Sequence, residues 1–150
     1  MKRAALTALA LLGTCVSLFA QYGAILHTAA GEDRLTVGSS ILLVGAAAGS
    51  LRPETGAAEA RSTLQKLGIR LPAAPDDSPI TYGGYAFLLA QLFDLPGSAA
   101  YVLIPGPLSA FDELQSRGLI PYTERSGHPV RGTDALLLLR RVIEQRGPSR

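Results

Sequence analysis

Four polar side chains near the starts of two apolar segments are the residues of this chain best suited to ligand chemistry. Tyr82 and Tyr85 flank a pair of glycines. Tyrosine rings beside glycine could form a platform for a sugar, because glycine lets a ligand approach the backbone. Arg131 and Asp134 stand at the corresponding place later in the chain, where they could contact a sugar or an acidic group in a groove. These four residues are therefore the predicted ligand-binding residues.

Each of the four also has a purely structural interpretation, and the sequence leaves both open. Tyr85 fits a core position on the apolar face of its segment, and Tyr82 fits a half-buried lid. An acid in the first turn of a helix interacts favourably with the helix dipole, so Arg131 and Asp134 could serve only the helix end.

The other reactive residue types form no catalytic or metal-binding set. His27 and His128 are far apart, and His128 lies between a glycine and a proline in a predicted surface loop. The adjacent acids Asp76 and Asp77 lack the alternating oxygen ligands of a calcium loop. A single cysteine excludes a disulfide framework or a cysteine-based zinc site. We therefore expect a protein that is not an enzyme and that has no cofactor or metal.

The first twenty residues have the pattern of a secretory signal. Lys2 and Arg3 provide a basic start, and an unbroken run of apolar and small residues, 4–12, follows them. We predict cleavage after Ala20, so that the mature chain begins at Gln21.

Cys15 offers a second interpretation of the same segment. Residues 12–15 (LGTC) partly match a lipobox, in which Cys15 would carry lipid, although threonine fits poorly before the cysteine. A third possibility is an uncleaved anchor. All three interpretations predict an exported protein of the periplasm or cell envelope. A buried N-terminal helix of a cytosolic protein is the structural alternative, which the basic start disfavours.

Removal of the signal would change the charge balance. The full chain has 14 Lys and Arg residues against 12 Asp and Glu residues, a net charge of +2. Lys2 and Arg3 would leave with the signal, and the mature chain would then be neutral. Because the basic excess belongs to the signal, we predict no nucleic-acid partner. No later apolar run reaches the roughly 18 residues of a membrane span, so we expect none in the mature chain.

The rest of the chain contains an internal repeat. A shift of 50 residues aligns Gly68 with Gly118 and Pro79 with Pro129, and it also aligns the leucine pairs that follow. A shorter copy lies 45 residues upstream, where Leu35 parallels Ile80. Periods of this length are typical of a copied supersecondary unit.

Each copy predicts a helix, a proline-containing loop and a second helix. The first helix ends at a glycine, which most easily adopts the left-handed conformation that ends a helix. In the second helix apolar residues recur at i, i+3, i+4 and i+7, which places them on one face. We predict an all-α domain over 21–150 with copies at about 33–50, 56–95 and 106–145, the first lacking a clear leading helix. We also expect the apolar run 101–104 to pack as extended chain across a helix.

This pattern resembles the S-layer homology (SLH) region, which bacterial envelope proteins typically carry as three tandem copies. Residues 67–69 (LGI) and 117–119 (RGL) match the step at the end of the family's first helix. The start of its second element is matched by residues 35–36 (LT) and 80–81 (IT) and by Val130. The resemblance covers about residues 33–145 and implies three helical repeats packed around a shared core.

The resemblance also implies a function, with two departures from the family pattern. In the family, an arginine in this second element and its neighbours line grooves that hold anionic cell-wall polysaccharide. That position holds Val37, Tyr82 and Gly132 here. The Thr-x-x-Glu capping box is also incomplete, because Ser39 and Gly84 stand where the glutamate belongs.

The combined expectation is a non-catalytic, exported envelope module that attaches or scaffolds through cell-wall polysaccharide or another envelope protein. Two alternatives stay open. A lipidated Cys15 would fit a lipid-anchored protein–protein adaptor, and a site between repeats would fit a small periplasmic enzyme subunit.

Overall fold

The computed structural model describes residues 22–52 and 54–146, and for residues 99 and 100 only the backbone. This part of the chain forms seven helices and contains no β-strand, which confirms the all-α prediction for it. The helices are α1 (22–31), α2 (Val37–Ala47), α3 (Ala57–Lys66), α4 (Tyr82–Leu92), α5 (Ala99–Leu103), α6 (Pro107–Ser116) and α7 (Gly132–Arg146). The predicted signal peptide, with Cys15, Ala20 and Gln21, lies outside the described residues.

Helices α3 and α6 end as the sequence predicts. Gly68 and Gly118 have φ values of +81° and +71°. The N–H group after each glycine donates to a carbonyl oxygen in the last turn, from Ile69 to Leu64 over 3.0 Å and from Leu119 to Leu114 over 2.9 Å. This Schellman pattern satisfies carbonyl groups that the helix itself leaves free.

Helix α4 is at the centre of the packing. It contacts α2, α6 and α7, while α2 also packs on α3. Tyr85 is fully buried in this core, and its hydroxyl donates to the Ala135 carbonyl oxygen over 3.0 Å. The predicted apolar face is buried in both of its copies except at Leu92, which is half-buried; its buried residues are Tyr85, Leu88, Leu89, Ala135, Leu138, Leu139 and Val142.

A closed ring of three backbone hydrogen bonds joins the segments that precede α2, α4 and α7. The Leu35 N–H donates to the Val130 carbonyl oxygen (2.7 Å), Ile80 donates to Leu35 (2.8 Å), and Val130 donates to Ile80 (3.0 Å). All three side chains are buried. The 45- and 50-residue shifts of the sequence align these same three positions. The ring therefore ties the beginning of the described chain to its end.

Two local features differ from the sequence-based expectation. A helix, α1, precedes the first copy, where the sequence showed no clear leading helix. The run 101–104 is not extended, because residues Ala99–Leu103 form the helix α5, in which the Val102 N–H donates to the Ser98 carbonyl oxygen. Tyr101 packs against the core, while Val102, Leu103 and Ile104 are exposed. A helix turn spreads successive side chains around its axis, so these apolar residues cannot all face one neighbour.

Candidate functional site

Three of the four predicted ligand-binding residues line one polar cleft. Tyr82, Arg131 and Asp134 border a cavity of about 440 Å³ where the start of α4 meets the start of α7. Cavities of about 300 to 1,000 Å³ are usual for small-ligand sites. The remaining residues of the wall come from the loops before α2 and α7, and they are Asp33, Arg34, Glu124, His128 and Pro129.

Backbone hydrogen bonds hold Tyr82 in the cleft. Tyr82 is the first residue of α4, after the N-cap Thr81, whose hydroxyl accepts from the Gly84 N–H over 3.2 Å. The Tyr82 N–H donates to the His128 carbonyl oxygen (2.9 Å), and the Gly83 N–H donates to Ser126 (2.8 Å). The loop before α7 thus satisfies free N–H groups of α4 and forms one side of the cleft.

Two carboxylates, those of Asp134 and Glu124, place negative charge near the Tyr82 hydroxyl. Burial raises the pKa of Tyr82 to about 12, with the nearby negative charges of Asp134 and Glu124 and a hydrogen bond to Asp134 adding to it, while Arg131 opposes the rise. At neutral pH the phenol is therefore protonated. It can therefore donate a hydrogen bond to a ligand.

Two further recesses extend the cleft on either side of the α7 start. Arg34, Arg131 and Asp33 also border a second recess of about 560 Å³, together with Glu32 and Thr133. On the other side, a recess of about 130 Å³ shares Tyr82 with the cleft and is lined by leucines of α7. The three recesses adjoin through these shared residues and are together called the trough below. The 130 Å³ recess combines leucines with Glu124, Asp134 and Arg141.

Tyr85 does not border this trough. It lies three residues after Tyr82 on the same helix, but its side chain points into the core and its hydroxyl is occupied by Ala135. Burial raises the pKa of Tyr85 as well. The structure therefore places the two tyrosines in different surroundings, and Tyr85 takes the core position that the sequence also allowed.

Sequence analysis did not single out Asp33, Arg34 or Glu124 as cleft residues. Asp33 and Arg34 directly precede Leu35, the first residue of the hydrogen-bonded ring. Their position just before an aligned residue of the repeat is the feature of the sequence that could have indicated them as cleft residues. Glu124 lies 3.3 Å from the His128 ring nitrogen in the loop before α7.

The described residues contain neither a metal-binding cluster nor a membrane-spanning helix. Within residues 22–52 and 54–146, no three His, Cys, Asp or Glu side chains are grouped so that they could hold a metal ion. Over the same residues, no helix is both long and apolar enough to cross a bilayer.

Comparison with known proteins identifies no relative of this chain. No protein-family model, no curated protein and no solved structure matches the chain.

Proposed function

We propose that this protein is an exported, non-catalytic module of the bacterial envelope that attaches to cell-wall polysaccharide through the trough at the start of α7. The observation that carries the proposal is the meeting of Tyr82, Arg131 and Asp134 in one polar cleft. The proposal includes three degenerate helical repeats that resemble SLH repeats.

The hydrogen-bonded ring supports the repeat arrangement. Leu35, Ile80 and Val130 are related by the sequence shifts, and each donates to the next around a closed circuit. A circuit of this kind is what three related units packed about a common axis would form. Such a frame would hold the cleft rigid, which lowers the entropic cost of binding.

The side chains of the cleft are suited to a polyhydroxylated ligand. Arg34 and Arg131 are exposed hydrogen-bond donors. Asp134 and Glu124 are partly exposed carboxylates that can accept hydrogen bonds from hydroxyl groups. Arginine and carboxylate groups can each engage two neighbouring polar atoms of a ligand at once. Tyr82 adds a protonated hydroxyl group that can donate a hydrogen bond.

Co-sedimentation with purified cell-wall sacculi tests the attachment. We expect the chain to pellet with sacculi, and Arg131→Ala or Asp134→Asn to weaken binding about tenfold, the effect of losing one charged hydrogen bond. Arg140→Ala is the matched control, because Arg140 is an exposed arginine of the same helix that pairs with Glu144 over 2.7 Å.

Two results would contradict the proposal. Equal pelleting of all variants would mean that another surface binds. If nothing pellets and an envelope protein is retained specifically, the partner is a protein.

Export is tested separately by the intact mass of the secreted product. A mass equal to that of a chain starting at Gln21 supports signal cleavage. The mass of a chain starting at a diacylglycerol-modified Cys15 supports the lipid-anchored form. A full-length product found only inside the cell would contradict export.

A further inference from the structure

Helix α5 and the loop that follows it carry an exposed apolar surface. Val102, Leu103, Ile104 and Leu108, called the apolar tip below, are between 62% and 79% exposed. The helix packs against α6, and Tyr101 joins it to the core. The apolar tip therefore points away from the core that would otherwise bury such side chains.

The surroundings of the apolar tip have no dominant charge. Residues 95–111 contain no Asp, Glu, Lys, Arg or His. Asp94 and Asp112 flank this stretch, while Arg70 is near enough to act on the Tyr101 hydroxyl and Arg117 donates to the Pro96 carbonyl oxygen. Glu113, which accepts the Ser98 N–H and pairs with Arg117, is a third acid, so the charges around the tip leave no basic excess and no strongly charged partner is favoured.

The size of the apolar tip does not suit a second copy of the chain. Its four side chains expose on the order of 500 Å² of apolar area, a size that often marks a functional patch on a monomer. A stable interface buries about 800 Å² on each partner. A self-associated dimer through this patch alone would therefore be weak.

The shape of the apolar tip favours a soft, surrounding medium. Val102 and Leu103 are consecutive at the end of α5, so their side chains point in directions about 100° apart, and Ile104 follows in the loop. A flat protein surface would cover one side of them and leave the others in water. Lipid acyl chains would surround all of them, as they surround the apolar residues of other interfacial segments.

We infer that the apolar tip inserts into the interfacial layer of a lipid membrane and holds this face of the domain against the bilayer. Pro96, Pro105 and Pro107 bracket the segment and restrict its backbone, so insertion orders little additional chain. Since these charges leave no basic excess, insertion does not require anionic lipid. The four residues of the tip do not border the Tyr82 cleft, and the inference does not depend on the polysaccharide proposal.

The absence of tryptophan from the sequence allows a local test on the full chain. Ile104→Trp places a single fluorophore in the apolar tip, and Ile143→Trp places one on an exposed isoleucine of α7 as the matched control. Each protein is mixed with phosphatidylcholine vesicles whose acyl chains carry bromine, which quenches a tryptophan inserted among them. The fluorescence reports only on the surroundings of the tryptophan. Membrane insertion of the apolar N-terminal run would therefore not produce the same signal.

We expect blue-shifted and quenched emission for Ile104→Trp and unchanged emission for Ile143→Trp. Adding Val102→Ser and Leu103→Ser to the Ile104→Trp protein should weaken vesicle binding about tenfold or more, because two buried aliphatic groups are lost. The result should be the same with anionic vesicles. Circular dichroism of each variant checks that the helices are intact.

Three outcomes would overturn the inference. The first is no change at position 104, and the second is an equal change at positions 104 and 143. The third is a blue shift without vesicles that rises with protein concentration, accompanied by dimers in sedimentation, since a second copy would then cover the tip.

Discussion

Gly132, the first residue of α7, is in direct contact with Ala29 near the end of α1. A β-carbon at position 132 would collide with the Ala29 carbonyl oxygen, and the Gly132 N–H donates to the Glu32 carbonyl oxygen over 2.9 Å. Ala29 is buried. This contact joins the two ends of the described chain beside the hydrogen-bonded ring, and only glycine fits there.

Gly132→Ala should therefore destabilise the fold. Because the collision is with backbone atoms on both sides, the start of α7 must move away from α1, at a cost of roughly 2 to 4 kcal/mol. Urea unfolding followed by circular dichroism measures the change. Gly127→Ala is the control, since a β-carbon there would meet nothing within 4 Å, and its free energy of unfolding should change by less than about 0.5 kcal/mol. If the two variants are equally stable, the α1–α7 contact is not part of the folded frame.

Tyr85→Phe should cost about 1 kcal/mol of the free energy of unfolding, because it removes one buried hydrogen bond and keeps the ring. The bond lost is the one from the Tyr85 hydroxyl to the Ala135 carbonyl oxygen, at 3.0 Å. Tyr122→Phe, on an exposed tyrosine, should leave stability unchanged. An unchanged stability in Tyr85→Phe would mean that the hydroxyl makes no net contribution.

The start of α2 has a carboxylate cap that the sequence did not reveal. Ser39 stands where a capping box would have glutamate, but Glu32 supplies the missing group from the preceding loop. One oxygen of Glu32 accepts the Thr36 N–H over 2.7 Å, and the other accepts the Ser39 hydroxyl. The capping role of a glutamate in the helix is thus filled from outside the helix.

Glu32→Ala should consequently lower stability by about 1 kcal/mol, as the loss of a helix cap does. Thr36→Ala removes the other half of the same network, so the double variant should lose less than the sum of the two single changes. Thr81→Ala provides the comparison, because Thr81 caps α4 without Glu32, and its effect should add to that of Glu32→Ala. Additive losses for Glu32 and Thr36 would contradict a shared cap.

Alkaline pH should unfold the protein partly through Tyr82. Its pKa rises from an ordinary 10.0 to about 12 in the folded state, chiefly through burial and then through the charges of Asp134 and Glu124. The folded state holds the phenolic proton more tightly than the unfolded state, so this contribution is complete below pH 10 and is lost as pH rises toward 12. Between pH 9 and 11.5 the stability of Tyr82→Phe should fall less steeply than that of the unchanged protein. Identical slopes would contradict the raised pKa.

Local sequence signals predicted the helices of the repeat and the ends of α3 and α6, but they missed α1 and predicted an extended chain where α5 lies. Gly68 and Gly118 end helices in the conformation that the sequence predicts, and Leu88, Leu89, Leu138 and Leu139 are buried as expected. These features depend on residues within one or two turns of each other. Export, lipidation and the polysaccharide partner remain predictions.

Packing between distant segments decided the rest. Tyr82 and Tyr85 are both buried and lie one turn apart, yet only Tyr82 borders the cleft, because α7 and its preceding loop cover them differently. Asp33 and Arg34 reach the same cleft from the other end of the described chain, brought there by the ring at Leu35. Spacing along a helix depends on local backbone geometry, which the sequence determined, whereas burial and the meeting of charges depend on long-range contacts, which exist only in the folded chain.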